Sequence, residues 1–466
     1  MLSIALPVSA SDTTDYVLDE NGKKIYIPLS YLAKTVFSPS GKGPLNNPQD
    51  FCLGAAGSEY EDHLFIADTE NNRILIVTPN SDVVREITES DGKTFLRPSG
   101  ITVNSGYMFI SDTGNSRIVQ LKMDGTYVKS FGKPESNILE KDTAFDVSRI
   151  ALSDNGLFYV MRGTNFMMID DQNRFQGYVG STRVPYSLSF VLMRIFASQE
   201  QLEYYVSPEP PAYTSFSLGS DGLIYATIEG GSDQIQIING NGSNVYVKGY
   251  YGEQGIGTDG RIVNPSFNDI TVSEDGIITA LEKNSGHLYQ YNRQGELLTV
   301  FGGRGETKGF FTAPVAVAAA KGNRIYVMDS SRGDITLFEP TSFIKTVVEA
   351  SRSYEAGNYR EAYEKWLKIY EVNAGYPLAN HGIALALYKN GEVKESLKYY
   401  RLAKNKAGYS DSFDDLRYIF FRENFFSLAG AVIAAFIGLY FLMRQLSRMS
   451  NKYLKEYFYG KEDDNK

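Results

Sequence analysis

The chain has 466 residues, a net charge of −9 and 13% aromatic residues, with 43 glycines and a single cysteine. That length allows two or three domains, the acidity argues against the broad basic surface that nucleic acid requires, and the lone Cys52 excludes an internal disulfide. Three histidines, His63, His287 and His381, stand too far apart in sequence for a histidine-based zinc site.

Residues 1–10 read as the remnant of a signal segment. An apolar run at 2–8 is followed by the small-residue cleavage pattern Val8-Ser9-Ala10, and the missing basic leader points to a start upstream of Met1. Residues 16–27 carry a hairpin pattern around Asn21-Gly22. Residues 65–74 then read FIADTENNRI, and 44 residues later 109–118 read FISDTGNSRI. Asp68 and Arg73 thus recur as Asp112 and Arg117, at the period of a four-stranded propeller blade.

Apolar strands that open such units begin near Pro48, Pro98, Val147, Ser215, Phe267 and Pro314, which gives six units. Unit six keeps Asp329, whereas the same slot holds Arg162 in unit three and Glu282 in unit five. The fold class expected is an all-β six-bladed propeller over 16–342, plus an α-helical solenoid and one transmembrane helix. The N-terminal hairpin is expected to supply outer strands to the last blade, because a closed ring leaves no long edge exposed. The pattern resembles the NHL-repeat β-propeller family. A motif recurring in several blades is structural before it is catalytic: Asp68 accepts hydrogen bonds from turn amides, and Arg73 reaches back to it or to carbonyls.

Between units three and four, residues 187–205 place Phe190, Met193, Ile195 and Phe196 at helical spacing, and 208–211 end the segment in a proline-rich run. It reads either as a cap on the propeller or as a surface for a partner, with Phe190, Met193 and Phe196 forming that surface.

From Phe343 the apolar period changes from 2 to 3.6. Two helix pairs are expected over 343–410. Gly357, Tyr359 and Ala362 have counterparts 34 residues later in Gly391, Val393 and Ser396; Trp366 matches Tyr400, and Ile369 matches Ala403. This resembles two tetratricopeptide repeats, which implies packing roles for Gly357, Tyr359, Ala362, Trp366, Gly391, Tyr400 and Ala403. A linker helix over 411–424 leads to 19 residues without a charge, 425–443, long enough to span a bilayer. Arg444, Arg448, Lys452 and Lys455 follow at once, so the positive-inside rule places the tail 444–466 in the cytoplasm and the bulk of the chain outside. Gly430, Ala434 and Gly438 form a small-residue stripe for packing against another membrane helix.

No nucleophile elbow, phosphate loop or metalloprotease helix is present. One enzymatic alternative comes from six-bladed gluconolactonase-like hydrolases, which hold a divalent metal in the channel; here Asp50, Asn268 and Asp269 are the alternative ligands, with Arg149 at the same level opposing a cation. The favoured reading has no catalytic residues and no cofactor. The order of propeller, helical repeats and membrane segment resembles a group of Gram-positive envelope proteins. That resemblance implies a membrane-anchored scaffold, accessory to a membrane complex such as a carbohydrate transporter, with membrane proteins and polysaccharide as partners.

Overall fold

The structure is a computed structural model and describes residues 15–19, 21–134, 145–153, 155–162, 165–179, 212–257 and 260–459. The signal segment and the insertion with Phe190, Met193 and Phe196 lie outside the described residues.

Six antiparallel sheets follow one another around a ring. Their innermost strands are Asp50–Leu53, Pro98–Asn104, Arg149–Leu152, Tyr213–Leu218, Phe267–Val272 and Pro314–Ala320. Each innermost strand lies beside those of the two neighbouring blades, and the sixth lies beside the first, so the ring is closed. The core is divided into layers between facing blades. Phe51, Leu64, Ile66 and Leu75 of blade one pack on Ala316, Tyr326 and Met328 of blade six, and Phe65, Ile74 and Ile76 pack on Ile101, Met108 and Val119 of blade two. Strands that bury both faces explain the continuous apolar runs such as Arg73–Val77.

Closure departs from the expected arrangement. The hairpin strand Tyr16–Leu18 pairs with Leu297–Gly302, the outer strand of blade five. The strand after it, Tyr31–Phe37, pairs along Asp334–Pro340 and becomes the outer strand of blade six. The hairpin therefore widens the fifth blade, and the next strand completes the sixth. Blade four has three strands. Its outer segment makes one bridge, Ile238 with Asn244, and then sends aromatic side chains into the gap to blade five. There Tyr246 stacks on Tyr251 at 5.5 Å and donates to the carbonyl of Asn292 at 2.7 Å.

In blades one, two and six the recurring aspartate ties the blade to the segment leading into it. Asp68 is fully buried; one carboxylate oxygen accepts from the Asn46 amide (2.8 Å), and the other accepts from Asn71 Nδ2 (2.8 Å) and Arg73 Nε (2.7 Å). Asp112 repeats this with the Leu96 amide, Asn115 and Arg117. Asp329 accepts from the Thr312 and Arg332 amides. Glu282 serves blade five, accepting from the Ser266 amide at 3.0 Å and from Ser285. In blade three the polarity is reversed, with Arg162 facing Asp146.

The chain divides into two compact units, residues 1–378 and 379–466. In the first, helices α1 (Ser342–Glu355) and α2 (Tyr359–Val372) bury Val347, Ala350, Ala362, Trp366 and Ile369. Buried Tyr376 donates to the carbonyl of Leu298 at 2.8 Å, which holds this segment to blade five. Helix α3 (Pro377–Lys389) bridges the division. In the second unit, α4 (Val393–Leu402) packs on α5 (Lys406–Glu423), which starts earlier than the expected linker helix. Ser396 meets Ser412, and Gly408 lies so close to the Tyr400 ring that an added Cβ would be 2.3 Å from it. Gly357 and Gly391 have φ of +79° and +87° with open space around them, so they supply left-handed helix ends. Tyr359 opens α2, and Ala403 caps α4. Helix α6 (Phe425–Tyr459) carries Gly430, Ala434 and Gly438 and is long and apolar enough to cross a membrane, with none of its apolar window buried.

Removing the carboxylate at Asp68 strips the Asn46 amide and Asn71 of this acceptor and leaves Arg73 with Glu86, at 2.9 Å, as its remaining carboxylate; leaving such buried donors unsatisfied costs ~1–3 kcal/mol. Asp68→Ala is expected to destabilise the propeller by that amount in chemical denaturation followed by circular dichroism. Asp68→Glu, which copies the group found in blade five, is expected to cost less.

Candidate functional site in the central channel

The strand pairing shows which residues share a level around the channel. Asp50, Gly100, Arg149, Ser215, Asp269 and Ala316 lie opposite Ala67, Ser111, Met161, Thr227, Leu281 and Met328 respectively. Each of those partners stands one residue before the Asp slot of its blade, so the six form one ring. Four blades carry an extra residue just before this level, seen as register shifts at Pro98/Gly100, Tyr213/Ser215, Phe267/Asp269 and Pro314/Ala316. Such bulges kink a strand and re-aim its side chains.

Within the ring, Arg149 reaches across the channel. Its Nη1 lies 2.5 Å from Asp50 Oδ1 and 3.3 Å from Asp269 Oδ1. The other oxygen of each aspartate accepts from the next blade: Asp50 from the Ile101 amide (2.9 Å) and Asp269 from the Val317 amide (2.7 Å). Ser215 Oγ completes the set by donating to Asp269 at 2.5 Å. One layer of polar groups therefore joins all six blades. Burial pushes the Asp50 carboxyl up to about 6; Arg149 opposes this and Asp269 adds to it. Burial pulls the Arg149 guanidinium down, but Asp269 and Asp50 together hold it above its ordinary value.

Asn268 belongs to a different set of contacts. It occupies the bulge position of blade five, and its Nδ2 donates to the Pro314 carbonyl at 2.9 Å. Thr214, the bulge residue of blade four, donates likewise to the Phe267 carbonyl at 2.6 Å. Thr69 and Thr113 make the corresponding links to Pro98 and Val147, each at 2.7 Å. Asp50 and Asp269 thus come together through Arg149, while Asn268 stitches one blade to the next. Among the described residues no three His, Cys, Asp or Glu side chains gather as metal ligands.

Above the ion-pair layer the channel opens into a cavity of about 650 Å³. Asp50, Arg149 and Asp269 lie at the level where each lining strand segment begins, and the segments run on to Leu53, Asn104, Leu152 and Val272. Neutral hydrogen-bonding groups line the walls, among them Thr102, Asn104, Ser153, Asn155, Ser217 and Thr271, and Tyr159 supplies an aromatic ring. Cys52 also lines the cavity and is half-buried there.

No protein-family model matches the chain, and no curated protein does. Similar solved structures include a streptogramin B lyase, at 13% identity and TM-score 0.39, covering 67% of this chain and 98% of that one. A virginiamycin B lyase from Staphylococcus aureus has 13% identity and TM-score 0.38, covering 72% and 98%. The β-propeller domain of a Myceliophteria thermophila protein has 11% identity and TM-score 0.39, covering 66% and 100%. No functional residue is carried over from any of them.

The Asp50 carboxyl binds its proton more tightly in the folded chain than in the unfolded one. Its contribution to stability is fully present below the unfolded value of 3.8 and is lost as pH rises through about 6. The lost amount is ~3 kcal/mol, at 1.36 kcal/mol for each pKa unit. Asp50→Asn lacks this component, so its stability relative to wild type is expected to rise by up to that amount between about pH 4 and pH 7. Denaturant titrations of both proteins across the range check it; a difference flat with pH would contradict it.

Proposed function

We propose that the protein is a membrane-anchored binding protein, with NHL-type blades and tetratricopeptide-type helix pairs, whose channel cavity takes a neutral polyhydroxylated ligand such as a segment of polysaccharide. The observation that carries this reading is the lining of the cavity. Its two carboxylates and one guanidinium are already engaged with each other and with backbone amides, which leaves a mainly polar lining of uncharged hydroxyl and amide groups. Placed hydrogen-bonding groups of this kind fix the orientation of a bound ligand. A sugar presents the matching hydroxyls.

The anchor is α6, which tethers this site to a bilayer. Four basic residues, Arg444, Arg448, Lys452 and Lys455, follow the uncharged span, while the flank before it mixes Arg417 and Arg422 with Asp411, Asp414, Asp415 and Glu423. That asymmetry favours a cytoplasmic C-terminus and an extracytoplasmic propeller. Held there, the protein works as an accessory to a membrane complex that handles carbohydrate.

Ending the chain after Glu423 is expected to release it from the membrane fraction in soluble, folded form. Protease added to intact cells is expected to remove the propeller and leave a C-terminal tag protected. Calorimetric titration of the released chain with neutral oligosaccharides should give a binding signal that Ser217→Phe, which fills the cavity, abolishes without lowering the melting temperature by more than a few degrees. Binding of acidic oligosaccharides alone, or none, would contradict the ligand class.

A further inference from the structure

Helix α6 is longer than a membrane needs. It runs unbroken for 35 residues, about 52 Å at the helical rise, against a hydrocarbon core of about 30 Å. The uncharged span ends at Met443, so residues 444–459 continue beyond it as helix. Over 444–453 the residue types separate by face, while Leu454, Tyr457 and Phe458 lie beyond that stretch and off its apolar stripe. Arg444, Arg448, Lys452 and Lys455 fall within an arc of about 80°, and Leu446, Met449 and Tyr453 fall within about 60° on the opposite side. These three are 54%, 61% and 76% exposed. Their spacing alternates three and four, and the alternation runs back in phase through Leu442, Leu439, Ala435 and Val432 to Phe425, four heptads in all. Inside the uncharged span any phase would be apolar. Beyond it, as far as Tyr453, Leu446, Met449 and Tyr453 are the apolar residues and all three keep the phase, which ends where Glu456 takes the next position.

We infer that this face is the interface of a parallel homodimer, in which Leu439, Leu442, Leu446, Met449 and Tyr453 meet the same residues of a second copy. The inference rests on α6 being the membrane anchor. A partner must bring an apolar stripe of the same phase, run in the same direction and start at the same membrane depth. A second copy meets all three conditions through a two-fold axis along the bilayer normal. Charge agrees with this geometry: Arg444, Arg448 and Lys455 take heptad positions away from the seam, and Lys452 flanks it. Laying the stripe on the lipid surface instead would require a sharp bend after Met443. The helix continues without a break, and no glycine or proline follows Gly438 before Tyr459.

The test uses the full chain in native membranes, with Cys52→Ser removing its one cysteine. Single cysteines are placed on the seam (Leu446→Cys, Met449→Cys) and off it (Ser447→Cys, Asn451→Cys), and the membranes are oxidised and run without reductant. The expected result is a disulfide dimer of twice the 51.9 kDa chain, several-fold stronger at both seam positions than at either outer one. Equal yields at all four positions, no dimer, or a seam-specific product with a protein of different mass would overturn the homodimer. Carbonate extraction of the same membranes separates the two readings. A chain that stays in the pellet without seam-specific dimers refutes the dimer alone, whereas a chain that is extracted refutes the anchor and the dimer together.

Discussion

At the centre of the propeller one guanidinium nitrogen stands between two carboxylates from different blades, and the ring closes around it. Each carboxylate uses its second oxygen to hold the backbone of the following blade, so Asp50 ties blade two and Asp269 ties blade six. Arg149 joins the two halves from blade three, and Ser215 adds blade four. Buried charges are stable only when paired and hydrogen-bonded, and here every member of the set has such partners. The network also sets where charge lies along the channel. Both acids share the one guanidinium of Arg149, and apart from these three groups the cavity is lined by uncharged residues.

Much of this was legible in the residues, for identifiable reasons. The Asp-Arg spacing is local, so the repeat shows itself at Asp68 and Asp112, and Asp329 is found by the same register. Glu282 looked like a loss of the motif, yet a longer carboxylate reaches the same kind of amide. The channel ring was harder to read. A bulge adds one residue before the ring level in units two, four, five and six, so counting along the strand slips by one. That slip is what groups Asn268 with Asp269, although the first side chain links adjacent blades and the second faces Arg149. The placement of the N-terminal hairpin carries no local signal at all. It follows from edge pairing, Tyr16 beside Val300 and then Tyr31 beside Pro340, across hundreds of residues of sequence.

The same distinction between local and long-range signals separates the helical parts. Gly357 and Gly391 mark helix ends by their own backbone needs, which sequence spacing shows directly. The charges that begin at Arg444 end the expected last helix at Met443, with 444–466 as a tail, yet it continues to Tyr459. A propeller cavity, a helical segment held to blade five by Tyr376, and a helix long and apolar enough to cross a membrane are the parts on which the proposed function rests.

The account stands or falls on the cross-channel pairing. A double-mutant cycle on Arg149→Met and Asp269→Asn, read as unfolding free energies near neutral pH, measures it without reference to any ligand. Direct contact between buried groups predicts a coupling of about 1–3 kcal/mol. Additive effects of the two substitutions would mean that the guanidinium does not join the blades, and that something else closes the ring.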